Sequence, residues 1–488
     1  MVGYIILAVF VLFLLITAIR AIFFVPKKRD KTDTLPEENV DVERYRKKLT
    51  EAIKIKTISN YDAKLVDWNE FDKFHAFLRE SFPLIHEKCE ITKIAEASLI
   101  YKWEGTDPSL DPIAMLAHQD VVPIADGTEQ DWTHEPFGGV DDGEYIWGRG
   151  AMDMKNHLVA LMDSVEQLME DGYQPVRTVY ICLGHNEEVV AAIDNGASQI
   201  VEHLAKQGVH LEAVVDEGGA ILPVDIKGVL SCNLAGVGIA EKGSMNYEVY
   251  VTAKGGHSSQ PPKHTALGHL ADVIKDIENH QFKAQMPDFV YELFTQIGKR
   301  CTYPVRLVTC NLWLLKGLVK KIMTMIPPAA SLIRTCTAVT MAEGSPQFNV
   351  LPQKASVTVN FRTMPGVSSE DVENHIRKAV KNKKIGITKL EGKVASSVSP
   401  TDSRAFNVIK ELCEKSDEKI LVAPFLVMGG TDAYNYEPIC ENIYRFSPFV
   451  ADVSLLLCTH GTDERLPISS VEGALKFFKR YIKEMTKE

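Results

Sequence analysis

Three short apolar runs rich in β-branched residues constrain this chain more than any other feature: residues 112–117 (PIAMLA), 178–183 (TVYICL) and 211–215 (LEAVV). Runs of this length without polar alternation suit strands buried on both faces, and such strands belong to a mainly parallel sheet covered by helices. Between the first two lies KNHLVALMDSVEQLMEDG, in which Leu158, Leu161, Met162, Val165, Leu168 and Met169 recur at helical spacing and Gly172 can close the helix. The order strand, helix, strand predicts a doubly wound α/β domain.

Chemistry-bearing residues stand at the end of each run. The first ends in His118 and Asp120, the second in GHNEEV with Glu187 and Glu188, and the third in DEGG with Asp216. Open α/β sheets gather ligands at the carboxyl ends of their strands, so three strands deliver imidazole and carboxylate to one rim. A fourth contributor is Asp153 in WGRGAMDMKN, just before the long helix. A lone aspartate there would read as a helix N-cap. Alongside an imidazole and several acids it reads as a metal ligand, in a site that suits zinc or manganese better than calcium, which takes oxygen ligands only. Two cations about 3.5–4 Å apart need a shared carboxylate between them, and Asp153 is the natural bridge. Asp120, two residues from His118 and on the same side of an extended segment, is placed to hold the imidazole.

A chain of 488 residues exceeds the roughly 250–300 at which one core stops growing, which predicts two domains. The net charge of −11, with no basic stripe interleaved with aromatics, argues against nucleic acid as a partner and for a small-molecule or peptide substrate. The second domain is expected to begin near Glu241. Tyr247, Val249 and Val251 alternate along one strand, Val357, Val359 and Phe361 along another, and TALGHLADVIKDIE between them is helix-like. An apolar insertion at 281–335, punctuated by Lys316, Lys320 and Lys321, reads either as an amphipathic helix on a membrane or lipid-tail groove, or as a buried helix or dimer surface.

The N-terminus is a separate segment. From Val2 to Val25 Arg20 is the only charge, so residues 1–26 are expected to be a membrane anchor or a signal segment, followed by a polar linker at 27–44. Lys27, Lys28 and Arg29 follow the span, and the positive-inside rule alone would keep the body cytosolic. The nine cysteines are odd in number and scattered, which predicts free thiols.

The series HQDVVP, GRGAMDMKN, GHNEEV, VDEGG, EKGSMN, GGHSSQPP, FNVLP, NFRTMPG, GGTDA and HGTDERL, in this order, resembles the co-catalytic di-zinc hydrolases that include carboxypeptidase S, glutamate carboxypeptidase and the aminoacylases. Within them the chain is most similar to the secreted branch acting on N-fatty-acyl amino acids. The resemblance runs from about residue 45 to the C-terminus. It implies a catalytic domain of residues 45–241 and 396–488 with an inserted α+β lid at 242–395. It also implies two Zn²⁺ ions, held by His118, Asp153, Glu188, Asp216 and His460, with Asp153 bridging and Glu187 free as general base. Asn186 departs from the aspartate common before the two glutamates, at a position that is not a ligand.

In the lid the resemblance implies that His257 donates to an oxyanion, across a dimer interface or after lid closure, and that Arg362 and Asn349 grip a substrate carboxylate. The implied reaction is hydrolysis, or in reverse synthesis, of N-acyl amino acids. Cleavage of short peptides with a free C-terminal carboxylate is the alternative, and a non-catalytic binding protein is a third reading. A homodimer through the lid and a lumenal or extracellular catalytic domain also follow from the resemblance.

Overall fold

In the computed structural model the described residues are 1–26, 34–189, 195–381 and 383–487. Lys27, Lys28, Arg29 and most of the first half of the expected linker lie outside them. Helix Val42–Lys54 starts inside the expected linker, because the Asp41 side chain accepts the Arg44 amide and caps it there.

The chain divides into two compact units, one of residues 1–239, 292–311 and 399–488, the other of residues 240–291 and 312–398. The first is built on a nine-stranded sheet. At its centre Val179–Gly184, Ile113–His118, Ala213–Asp216 and Ile443–Arg445 run parallel in that order. Antiparallel strands flank them, Glu90–Ile94 and Ser98–Trp103 on one side and Leu230–Glu241 on the other. The two apolar strands at the middle, Ile113–His118 and Val179–Gly184, are buried at every residue, as their lack of alternation requires. Helix Lys155–Glu170 covers the sheet and is buried along nearly its whole length, and Gly172, at a φ of +73°, turns the chain out of it.

The second unit is a four-stranded antiparallel sheet in the order Cys336–Glu343, Lys354–Thr363, Gly243–Thr252, Gly386–Lys393. Helices Ala266–Asn279 and Ser369–Ala379 pack Leu270, Val273, Val372 and Ile376 against Tyr247, Val249, Val357, Val359 and Phe361. The alternation of both strands therefore points at one core. Residues 292–311 interrupt the range expected for the inserted domain. They pack with the first unit, where Cys301, Ile297 and Val305 join Leu230, Cys232 and Leu421, and Thr302 donates to the Val229 carbonyl at 2.8 Å.

Candidate metal centre

The parallel strands end at one place. His118 and Asp216 close their strands, and Glu187 and Glu188 follow Gly184 in a turn. Asp120, fully buried, organises this rim. Its Oδ2 accepts the Ser59 hydroxyl at 2.6 Å, and its two oxygens accept the backbone N–H groups of Glu187 and Glu188, each at 3.2 Å. One carboxylate thus fixes the backbone under both glutamates.

It also sets the histidine. His118 Nδ1 lies 3.0 Å from the Asp120 carbonyl and 3.4 Å from Asp120 Oδ1, an acceptor-rich side that assigns the ring proton to Nδ1. The Nε2 lone pair is left facing acids: Asp153 Oδ1 at 3.1 Å, Glu217 Oε1 at 3.3 Å and Glu187 Oε2 at 3.9 Å.

The opposite wall comes from the other end of the chain. Strand Arg465–Pro467 pairs antiparallel with Tyr145–Trp147, and Gly148 N donates to the Glu464 carbonyl at 2.9 Å, which brings the turn at His460 beside the loop carrying Asp153. His460 adopts a φ of +61°, a left-handed conformation uncommon for a residue with a Cβ. Its Nε2 lies 2.9 Å from Asp153 Oδ2 and 3.0 Å from Glu188 Oε2. Asp153 therefore offers one oxygen to each histidine.

A buried ion pair that the sequence reading missed locks these two walls together. Glu464 Oε1 accepts the amides of Met152 and Asp153 at 2.8 and 3.1 Å, while Oε2 accepts Arg149 Nη1 at 2.6 Å. Arg149 Nη2 donates in turn to the Gly461 carbonyl at 2.9 Å, next to His460. Neither side chain is more than 2% exposed. Glu464→Gln would leave the Arg149 charge uncompensated, a loss of about 3–5 kcal/mol. Metal affinity is expected to fall about 10–100-fold, as for partners that orient ligands. Thermal melting of the metal-free chain and competition with a chromogenic chelator check the two effects, and unchanged affinity would sink the positioning role.

Asp216 closes its strand beside the cluster. Its Oδ1 accepts the Glu217 amide at 2.9 Å and its Oδ2 the Ala433 amide at 2.8 Å, so each oxygen already holds one backbone N–H. Among the described residues the ligand-like groupings are His118, Glu187 and Glu217, and His118, Asp153 and Glu188; Glu217 is in them and Asp216 is not. The signal was present in DEGG as a second acid, but strand alternation does not rank two acids across a strand end. His157 and His185, close to these motifs in sequence, are buried: His157 Nδ1 lies 2.9 Å from Ser447 Oγ, and His185 Nδ1 2.7 Å from Ser98 Oγ.

The charge balance of the cluster fits divalent cations. Burial pushes the Glu187 carboxyl well above its ordinary range and that of Glu217 up to about 8, each helped by neighbouring acids. Burial alone would lower His118, but hydrogen bonds to Asp120, Asp153 and Glu217 outweigh it and hold the ring well above its usual pKa. Hydrogen bonds to Asp153 and Glu188 raise His460 to about 10. Acids that resist ionising beside imidazoles that bind protons too readily form a site short of positive charge. Cations of charge +2 supply it with the imidazole and carboxylate donors that zinc accepts.

The remaining expected site residues lie in the second unit. His257 sits on the two-residue strand Gly256–His257, paired with Val350, and Ser258 N donates to the Asn349 carbonyl at 3.0 Å. His257 and Asn349 thus share one exposed ribbon. Arg362 projects, exposed, from Lys354–Thr363, where it pairs with Ser244.

Comparison with known proteins agrees with this geometry. The model of peptidase family M20/M25/M40 matches residues 114–484. A probable carboxypeptidase S-like 2 of Dictyostelium discoideum is 36% identical over 444 residues, covering 90% of this chain and 85% of the relative. The N-fatty-acyl-amino acid synthase/hydrolase of Xenopus tropicalis is 32% identical, with 90% and 86% covered. In fold the chain is similar to an M20 family metallo-carboxypeptidase from Sulfolobus solfataricus, with a TM-score of 0.63 at 17% identity over 91% of this chain and 99% of that one. The family match spans the strands that build the cluster and the turn that completes it, and by it the chain belongs to peptidase family M20/M25/M40 and is a metal-dependent hydrolase.

Proposed function

We propose that the chain hydrolyses, and in reverse forms, the amide bond of N-acyl amino acids, N-fatty-acyl amino acids foremost, with two zinc ions. The observation that carries this reading is the Asp153 carboxylate, one oxygen turned to His118 and the other to His460. His118 with Glu217 would hold one ion, Glu188 with His460 the other, and Asp153 both. Asp216 takes a supporting role through the Glu217 and Ala433 amides. Glu217→Gln is then expected to cost bound metal measured by elemental analysis, and Asp216→Asn to cost less; the reverse order would restore Asp216 as ligand. When bound, such a pair polarises an amide carbonyl and makes water nucleophilic near neutral pH.

The protein's own groups do the rest. Glu187, turned toward His118 but a ligand in neither half of this scheme, takes the proton from water and passes it to the leaving amine. His257 donates to the oxyanion, and Arg362, with Asn349, fixes the free carboxylate through its planar fork. In this reading residues 242–395, apart from the 292–311 excursion, are the lid, and helix Val2–Phe23, 22 residues with a mean hydropathy of 2.9, anchors the enzyme to a membrane.

Carboxypeptidase action on short peptides is the second reading, favoured by the 36% identity to a carboxypeptidase S-like protein. Turnover of N-oleoyl-phenylalanine against a panel of dipeptides separates the two. Exclusive dipeptide cleavage would overturn the first. Arg362→Ala should raise KM about 10–100-fold for either substrate, the loss of a charge-assisted pair worth ~1.5–3 kcal/mol, with kcat changed less. An unchanged KM would remove Arg362 from the carboxylate site.

A further inference from the structure

Residues 293–342 contain seven Lys and Arg and no Asp or Glu, in a chain whose net charge is −11. Within this stretch lies helix Leu312–Thr324. Leu314, Leu318 and Ile322 recur every fourth residue, so they share one face, and they are exposed by 48%, 55% and 50%. Met325, just past the helix, and Trp313, at its start, are exposed as well. The same helix borders a cavity of about 330 Å³ lined by Lys283, Ala284, Gly317, Lys320, Lys321 and Thr324, with three ammonium groups and no acid among them.

The segment leading into this helix touches the apolar N-terminal one. Tyr303 Oη donates to the Ala18 carbonyl at 3.2 Å, Asn311 Nδ2 to that of Thr17 at 3.2 Å, and Arg20 Nη2 to that of Cys310 at 3.4 Å. Leu312 follows Asn311 directly. The segment that touches Val2–Phe23 thus continues along the chain directly into the lysine-rich helix.

We propose that Leu312–Thr324 is an interfacial helix that lies on an anionic bilayer, its apolar stripe among the acyl chains and its lysine-lined cleft around lipid phosphoryl groups. The partition of the helix fits that occupant: apolar side chains on one face, cations beside them, and an indole at one end, where amphipathic rings favour the headgroup level. Lysines near such a surface are drawn to acidic lipid, whereas the chain as a whole carries a net charge of −11.

The test uses the full chain reconstituted in phosphatidylcholine vesicles with and without phosphatidylserine, with phosphatidylcholine brominated in its acyl chains as quencher. The difference in emission between wild type and Trp313→Phe isolates Trp313. We expect that difference to be lost to bromolipid when phosphatidylserine is present, and to persist in the double variant Lys320→Glu/Lys321→Glu. Trp313 emission untouched by bromolipid overturns the proposal, and so does shielding of Trp313 that depends only on protein concentration, the mark of a second copy on this face. Equal quenching with and without phosphatidylserine overturns the anionic-lipid assignment. Should the double variant fail to fold, the wild-type and Trp313→Phe arms still decide.

Discussion

Asp153→Ala is expected to lose bound metal and to lower amide hydrolysis by about 10³–10⁴-fold, the several kcal/mol of charge stabilisation that metal ions contribute to such a reaction. Asp153 Oδ1 faces His118 at 3.1 Å and Oδ2 faces His460 at 2.9 Å, so its removal strips a donor from both halves of the cluster at once. Of the other acids, Glu188 Oε2 stands 3.0 Å from His460 Nε2 and Glu217 Oε1 3.3 Å from His118 Nε2, whereas Asp153 contacts both rings. Folding should survive: the Met152 and Asp153 amides remain bonded to Glu464, and the helix that follows is buried among sheet and helix neighbours. Elemental analysis with circular dichroism separates loss of metal from loss of fold. Full metal content in the variant would remove Asp153 from the centre of the account.

Glu187→Gln separates the chemistry from the metal. The substitution keeps size and shape while removing the basic oxygen, so kcat should fall about 10²–10⁴-fold, the usual contribution of a positioned general base. Metal content and KM should hold near wild type, because Glu187 Oε2 is the most distant of the three acids facing His118, at 3.9 Å. Its backbone is fixed independently, through the amide that Asp120 accepts. A variant that lost metal in step with activity would identify Glu187 as a ligand instead.

Much of this arrangement was legible in the sequence, for reasons that can be named. The apolar runs at 112–117 and 178–183 have no polar alternation, and a strand so composed fits only the middle of a covered sheet. Once those strands are parallel neighbours, the acids that end them share a rim. What stayed illegible depended on contacts without a local signature. Arg149 and Glu464 are 315 residues apart, and nothing near either residue announces the partner. The hydrogen bond from the Ala433 amide to Asp216 spans 217 residues, and nothing in DEGG announces it. The excursion of residues 292–311 to the first unit rests on Cys301 and Val305 meeting the apolar patch of Leu230 and Leu421, which a continuous insertion does not disclose.

The most direct test of the account is the metal stoichiometry of the purified full chain, measured by plasma mass spectrometry with hydrolysis assayed on the same sample. Two divalent ions per chain, removed by 1,10-phenanthroline together with activity and restored with it on adding zinc, is the predicted result. A chain carrying no metal that turns over substrate undiminished in chelator would contradict it.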